Sequence, residues 1–228
     1  MRPPASIPVP RRPGRPANQP GNDHRDRLLD AAAALFARQG AAATSLTQIA
    51  RAVELTPAMV HYYFRTRDQL LDAVVDERIG PLIERVTGPA LGDGAEAEGT
   101  IAMIVGLARR MLQTAEQAPW FPPLWIREIV SDGGLLRERM LQRFALPRGQ
   151  VIVARIAAAQ ARGEINPALE PRMVFISVLG LTLLPLATAS IWRRLPEPGR
   201  LDTDALARHV SALLTSGLGT PPTERDSS

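Results

Sequence analysis

The chain has no cysteine and no lysine. Without cysteine there can be no disulfide, no thiolate nucleophile and no cysteine-ligated metal, and the chain suits a reducing cytoplasm, where it is expected to act. The three histidines, His24, His61 and His209, are far apart and lack metal-ligand spacing. No glycine-rich phosphate loop, G-x-S-x-G elbow or paired-carboxylate signature is present, so neither an enzyme nor a cofactor nor a metal is expected. Aromatic residues make up only 4% of the chain. No run of alternating β-branched residues marks a strand, and alanine is abundant, which favours helix. The expected fold class is all-α.

Because lysine is absent, every basic side chain is arginine. The net charge is +4, and its location is informative. Residues 1–22 hold Arg2, Arg11, Arg12 and Arg15 and no acid, and the other 23 basic residues match the 23 acidic ones. This proline-rich arm has no apolar run long enough for a signal peptide and is expected to be disordered. Around Arg12 and Arg15, R-P-G-R-P resembles a loosened AT-hook. An extended arginine-rich segment suits a narrow minor groove, and a solvated tail is the other reading.

At 228 residues, the chain can hold a small domain joined to a larger one. A first helix is expected from Asn22 or Asp23 to Gln39, with Leu28, Ala32, Leu35 and Phe36 on one face and Gly40 ending it. Thr44 and Ser45 can cap a second helix that turns Ile49, Ala50 and Val53 inward. After a turn at Glu54 and Leu55, Thr56 can cap a third helix, about Pro57 to Tyr63, with proline at its first position. A fourth starts at Thr66, turns Leu70, Leu71, Val74 and Val75 inward, and reaches at least Ile79, with Pro81 a candidate kink. A loop is expected over 88–99. Helical stretches follow at about 100–116, 121–131, 133–162, 171–192 and 202–217, the third breakable at Pro147 and Gly149.

Residues 44–71, TSLTQIARAVELTPAMVHYYFRTRDQLL, read as a helix-turn-helix running through an aromatic triplet into a new capped helix. With the preceding helix, this segment resembles the DNA-binding domain of the TetR family of transcriptional regulators over about residues 24–75. The resemblance implies an N-terminal three-helix helix-turn-helix domain and a larger C-terminal helical ligand-binding and dimerisation domain. The expected boundaries are 1–22 for the arm, 23–75 for the DNA-binding domain, 76–218 for the regulatory domain and 219–228 for a disordered tail. By resemblance, Thr47 and Tyr62 match positions that touch backbone phosphates, and His61 matches a DNA-facing position usually held by tyrosine. Arg65 and Arg67 can add phosphate bonds, Arg51 can read a base or a phosphate, and Pro57, Ala58 and Met59 face base edges. Glu54 departs from the family's usual glycine, and a positive φ there costs about 1 kcal/mol.

Beyond residue 100, large apolar side chains accumulate. Met103, Met111, Trp120, Phe121, Trp125, Phe144 and Met173 are candidates to line a ligand pocket, and simple core is the competing reading. The run Met173–Trp192 is uncharged over twenty positions. That length could cross a bilayer, but its serine, threonine, glycine and proline content suits a helix buried between subunits better. The resemblance implies a four-helix dimer interface made by the last two helices and their mates. The expected partners are therefore double-stranded operator DNA, a second copy of the chain and a small lipophilic effector, and no membrane. A ligand-independent DNA-binding protein and a membrane-tethered regulator are the alternatives.

Overall fold

In the computed structural model, the described residues are 20–92, 99–192, 194 and 202–220. The expectations for Arg12 and Arg15, for the arm, and for the tail beyond Thr220 lie outside them. Twelve α-helices and no strand occur among the described residues. The first, α1 (Pro20–Gln39), buries Leu28, Ala32, Leu35 and Phe36 and ends at Gly40, whose φ of 89° only glycine adopts without strain. Helix α2 (Leu46–Ala52) is opened by a capping box. The Ser45 hydroxyl accepts from Gln48 N, and the Gln48 side chain accepts from Ser45 N. Thr44 does not cap. It is buried, and its hydroxyl donates to Gly40 O. Helix α3 (Pro57–Tyr63) has Thr56 at its N-cap position without a side-chain cap bond.

Between them, Leu55 N donates to Ala50 O and Glu54 N to Arg51 O, the paired bonds of a Schellman ending. Its left-handed residue is Glu54, at φ 57°. Replacing Glu54 by glycine should therefore stabilise the protein by about 0.5–1 kcal/mol. Urea denaturation measures this, and a lower midpoint for Glu54→Gly would show that the turn carries no such strain.

Helix α4 (Arg67–Val74), capped by Thr66, passes through a π-helical turn, Val75–Ile79, into α5 (Gly80–Leu91). The wide turn has a local cause. Pro81 has no N–H to continue the ladder, and Gly80 N reaches back five residues to Val75 O. The same device recurs before Pro147, where Leu146 N donates to Leu141 O across the π-turn Leu141–Ala145. Proline thus widens the helices at both places instead of breaking them. Helix α5 also carries Pro89 and runs to Leu91, four residues into the expected loop.

Helix α6 (Thr100–Gln117) is the axis of the C-terminal half and packs against α5, α10 and α12. Around it lie α7 (Phe121–Trp125) with a following π-turn, Ile126–Val130, then α8 (Arg137–Met140) and α9 (Leu146–Ala161). The uncharged run forms α10 (Pro171–Ala187) and the short α11 (Ala189–Trp192). The last helix is α12 (Thr203–Leu218), capped by Asp202. Among the described residues no helix is long and apolar enough to cross a membrane.

Candidate functional site

Helices α2 and α3 pack on each other through Ile49, Ala50 and Val60, all fully buried, so their opposite faces are held rigidly outward. Thr47, Arg51, Pro57, Ala58, His61 and Arg65 are exposed, and Met59 is half-buried. Tyr62 is 76% exposed, a high value for a large aromatic, and its ring stands edge-on to Tyr63 at 5.0 Å. Together these exposed side chains offer hydroxyl, imidazole and guanidinium groups beside the small apolar Pro57 and Ala58.

Arg67 departs from expectation. Its guanidinium is half-buried and donates to the carbonyls of Thr44 (2.8 Å) and Ala41, tying α4 to the α1–α2 turn. Both Nη groups are spent inside the fold, so Arg67 holds the turn instead of reaching for phosphate. An arginine near a capped helix start can serve either role, and nothing in the sequence tells them apart.

The C-terminal half contains a small apolar cavity of about 40 Å³. Four expected pocket residues line it: Met111, Phe121, Trp125 and Phe144. Three do not. Met103 is fully buried core, Trp120 packs half-buried beside the core, and Met173 is 51% exposed on the outer face of α10. Spacing on an apolar helix face cannot separate cavity wall from solid core, and only the packing of neighbouring helices decides it. The remaining wall comes from α5, α9 and α10, including Leu82, Val86, Thr87, Arg148, Gly149, Phe175 and Leu183. Thr87 turns its hydroxyl to Ile83 O, so its polar group is already satisfied within the helix.

Three connections run from this wall to the helix-turn-helix. Helix α5 is continuous with α4. Helix α7, which carries Phe121 and Trp125, leads to Glu128. That carboxylate is buried and accepts from Ala41 N at 2.7 Å and Leu135 N at 3.0 Å, and Arg67 takes the carbonyl of the same Ala41. The third is a ladder of ion pairs beside Phe144. Arg139 pairs with Asp68 and Asp72, and Arg143 with Asp72 and Asp76, at 2.6–2.8 Å. Burial works against ionising Asp72, but hydrogen bonds from Arg139 and Arg143 outweigh it and hold its carboxyl below the usual range. The sequence carried a legible trace of the ladder, acids at 68, 72 and 76 and arginines at 139 and 143 in four-residue steps. Glu128 left no such trace.

On the far side, α10 presents Met173, Ile176, Ser177, Gly180 and Leu184 outward at three- and four-residue steps, and Ile191 of α11 lies beyond. Ile176, Leu184 and Ile191 are 53%, 50% and 67% exposed. Leu213 of the neighbouring α12 is 47% exposed.

Residues 28–74 match the model of the bacterial regulatory proteins of the tetR family. The HTH-type transcriptional regulator SrpR of Pseudomonas putida is 29% identical over 193 residues, covering 77% of this chain and 87% of that protein. TtgW, another HTH-type transcriptional regulator of Pseudomonas putida, is 30% identical over 118 residues, 52% of this chain and 84% of the relative. Among solved structures, the ketosteroid transcriptional regulator KstR2 of Mycobacterium tuberculosis superposes with a TM-score of 0.67 at 17% identity, over 88% of this chain and 97% of that one. AibR in complex with isovaleryl coenzyme A and operator DNA gives 0.62 at 19%, over 82% and 95%. With the outward-facing α2–α3 pair on a helical body, these relationships make the chain a member of the TetR family of bacterial transcriptional regulators, and not an enzyme.

Proposed function

We propose that the protein is a dimeric repressor that leaves its operator when a small lipophilic effector occupies the cavity. The observation that carries this reading is that the cavity wall is built from the same elements that grip the helix-turn-helix. Residues 23–75 act as the reading head and 76–218 as the regulatory and dimerisation domain. AibR, of the same fold, has been captured with both isovaleryl coenzyme A and operator DNA. In this chain Thr47, Tyr62, His61 and Arg65 contact the phosphate backbone. Pro57, Ala58 and Met59 approach base edges, and Arg51 reaches a base or a phosphate. The apolar stripe on α10, with Leu213, meets its counterpart on a second copy. Two reading heads then enter successive major grooves about 34 Å apart. An effector that favours a different separation weakens binding by its differential affinity for the two states.

Selection of duplexes from a random pool tests this directly. The selected sites should be inverted repeats with half-site centres about 10 base pairs apart or a multiple of that. Failure to enrich any duplex would overturn the reading. Tyr62→Ala should weaken binding to selected and random duplexes alike, by about fivefold to tenfold, because phosphate contacts carry no sequence information. A loss confined to the selected site would instead make Tyr62 a base reader.

A further inference from the structure

We propose that the arm before α1 reads the DNA minor groove, Arg12 and Arg15 entering it where A·T pairs flank each major-groove half-site. This rests on reading the protein as an operator-binding dimer. The first observation is how the reading head spends its arginines. Arg25 pairs with Glu77 and lies over the Phe64 ring, and Arg27 donates to Val53 O. Arg78 pairs with Asp26 and Asp30, and Arg67 donates to the carbonyls of Ala41 and Thr44. These four hold the head together, while Arg51 and Arg65 stand on its exposed face. Over the whole chain, the 23 basic residues after position 22 are matched by 23 acidic ones, so the entire excess of +4 lies in the arm. Attraction to a polyanion draws on that excess.

The second observation is where the arm enters the fold. The bond from Arg27 and the stacking of Arg25 set the start of α1 beside Val53, which ends α2, and Phe64, which ends α3. Tyr62 and Arg65, on either side of Phe64 in the chain, are exposed. Pro20, the first residue of α1, is about 8 Å along the helix from Arg25. The arm therefore leaves from the end of the head that carries the proposed DNA contacts. Arg15 and Arg12 precede Pro20 by five and eight residues, an extended reach of about 17 Å and about 27 Å. Half a turn of duplex, from a major groove to the next minor groove, is about 17 Å, so both arginines can arrive there.

The motif suits that groove. Pro13 and Pro16 disfavour a helix, and Gly14 puts no side chain against the walls of a groove about 6 Å wide. Arginines three residues apart on an extended chain stand about 10 Å apart, about three base-pair steps. A·T pairs present only acceptors in the minor groove, and A-tracts narrow it and deepen its negative potential. The guanine amino group adds a donor, which repels a guanidinium.

The test remakes a selected duplex with its half-sites unchanged and with A·T, G·C or inosine·cytosine flanks, and measures affinity for the full-length protein. An inosine·cytosine pair keeps the major-groove edge of G·C and lacks the minor-groove amino group, so it separates the two grooves. The wild type should bind A·T and inosine·cytosine flanks alike, and both about fivefold or more tightly than G·C flanks. Arg12→Gln with Arg15→Gln should erase that preference while still binding the half-sites. Arg2→Gln with Arg11→Gln removes the same charge outside the motif, and should weaken every duplex alike with the preference intact. Three results would each overturn the minor-groove assignment: a preference that survives Arg12→Gln with Arg15→Gln, inosine flanks that bind like G·C, or no preference in the wild type. In each of them the half-sites are still bound, so the operator reading stands. If no duplex is selected at all, that reading falls and the arm's role falls with it.

Discussion

Gly134→Ala should cost the protein about 3 kcal/mol or more, large for a single added methyl. A Cβ at position 134 would stand 2.0 Å from the carbonyl oxygen of Glu128 and 2.5 Å from its carbonyl carbon. Those are backbone atoms, so no side-chain rotation can relieve the overlap, and the Ser131–Leu136 loop must lift away from the Ile126–Val130 turn. Lifting it breaks the Glu128 bond to Leu135 N and disturbs the bond to Ala41 N. Glu128→Ala removes both bonds directly and strands two N–H groups, at about 1–3 kcal/mol each. Because the two substitutions act on one contact, their costs should not add, and a double-mutant cycle by urea denaturation should show strong coupling. Additive costs, or a mild Gly134→Ala, would mean that the loop and Glu128 do not work as a unit. The functional consequence follows from Ala41. With its N–H released, the α1–α2 turn loses its hydrogen bond to the C-terminal half, so effector and operator should lose much of their mutual influence in Glu128→Ala.

Replacing Ile176 and Leu184 together by arginine should produce a folded monomer. Both side chains are about half exposed on the outer face of α10, so neither substitution disturbs the core around α6. In a dimer, however, each copy would bury two unpaired guanidinium groups against their symmetry mates, at several kcal/mol per interface. Sedimentation should find the wild type dimeric at micromolar concentration and the variant monomeric, with unchanged helical content. Losing the second reading head should reduce affinity for a selected duplex by about a hundredfold or more, because the tethered second contact is lost. A monomeric wild type, or a variant that still pairs, would move the interface off α10.

The helix-turn-helix was readable because each of its signals is local. The serine before α2, Pro57 at the start of α3, and the apolar spacing of Leu28 to Phe36 each act within a turn or two, and each stands where the residues implied. Even the strain at Glu54 could be read from one residue out of pattern. What escaped was set by long-range packing. Two of the π-turns depend on how a helix absorbs Pro81 and Pro147, Arg67 on carbonyls more than twenty residues away, and Glu128 on an amide 87 residues distant. The cavity was half legible for the same reason. Met103 and Met111 are both buried on α6, yet only Met111 lines the cavity, with residues of α7, α9 and α10 around it.

The coupling of cavity to reading head can be tested without knowing the natural effector, because the chain has no cysteine of its own. A Cβ at Gly149 meets nothing within 4 Å and the residue lines the cavity, so Gly149→Cys offers a single thiol facing the space. Modifying it with hexyl methanethiosulfonate places a short hydrocarbon chain in the cavity. The same modification of Ala157→Cys, exposed on the same helix, leaves the cavity empty. Fluorescence anisotropy with a selected duplex should show the Gly149→Cys adduct binding DNA about 5–150-fold more weakly, the usual range of allosteric coupling. Dithiothreitol should restore it, and the Ala157→Cys adduct should match the unmodified protein. Complete labelling at Gly149→Cys with unchanged DNA affinity would contradict the account.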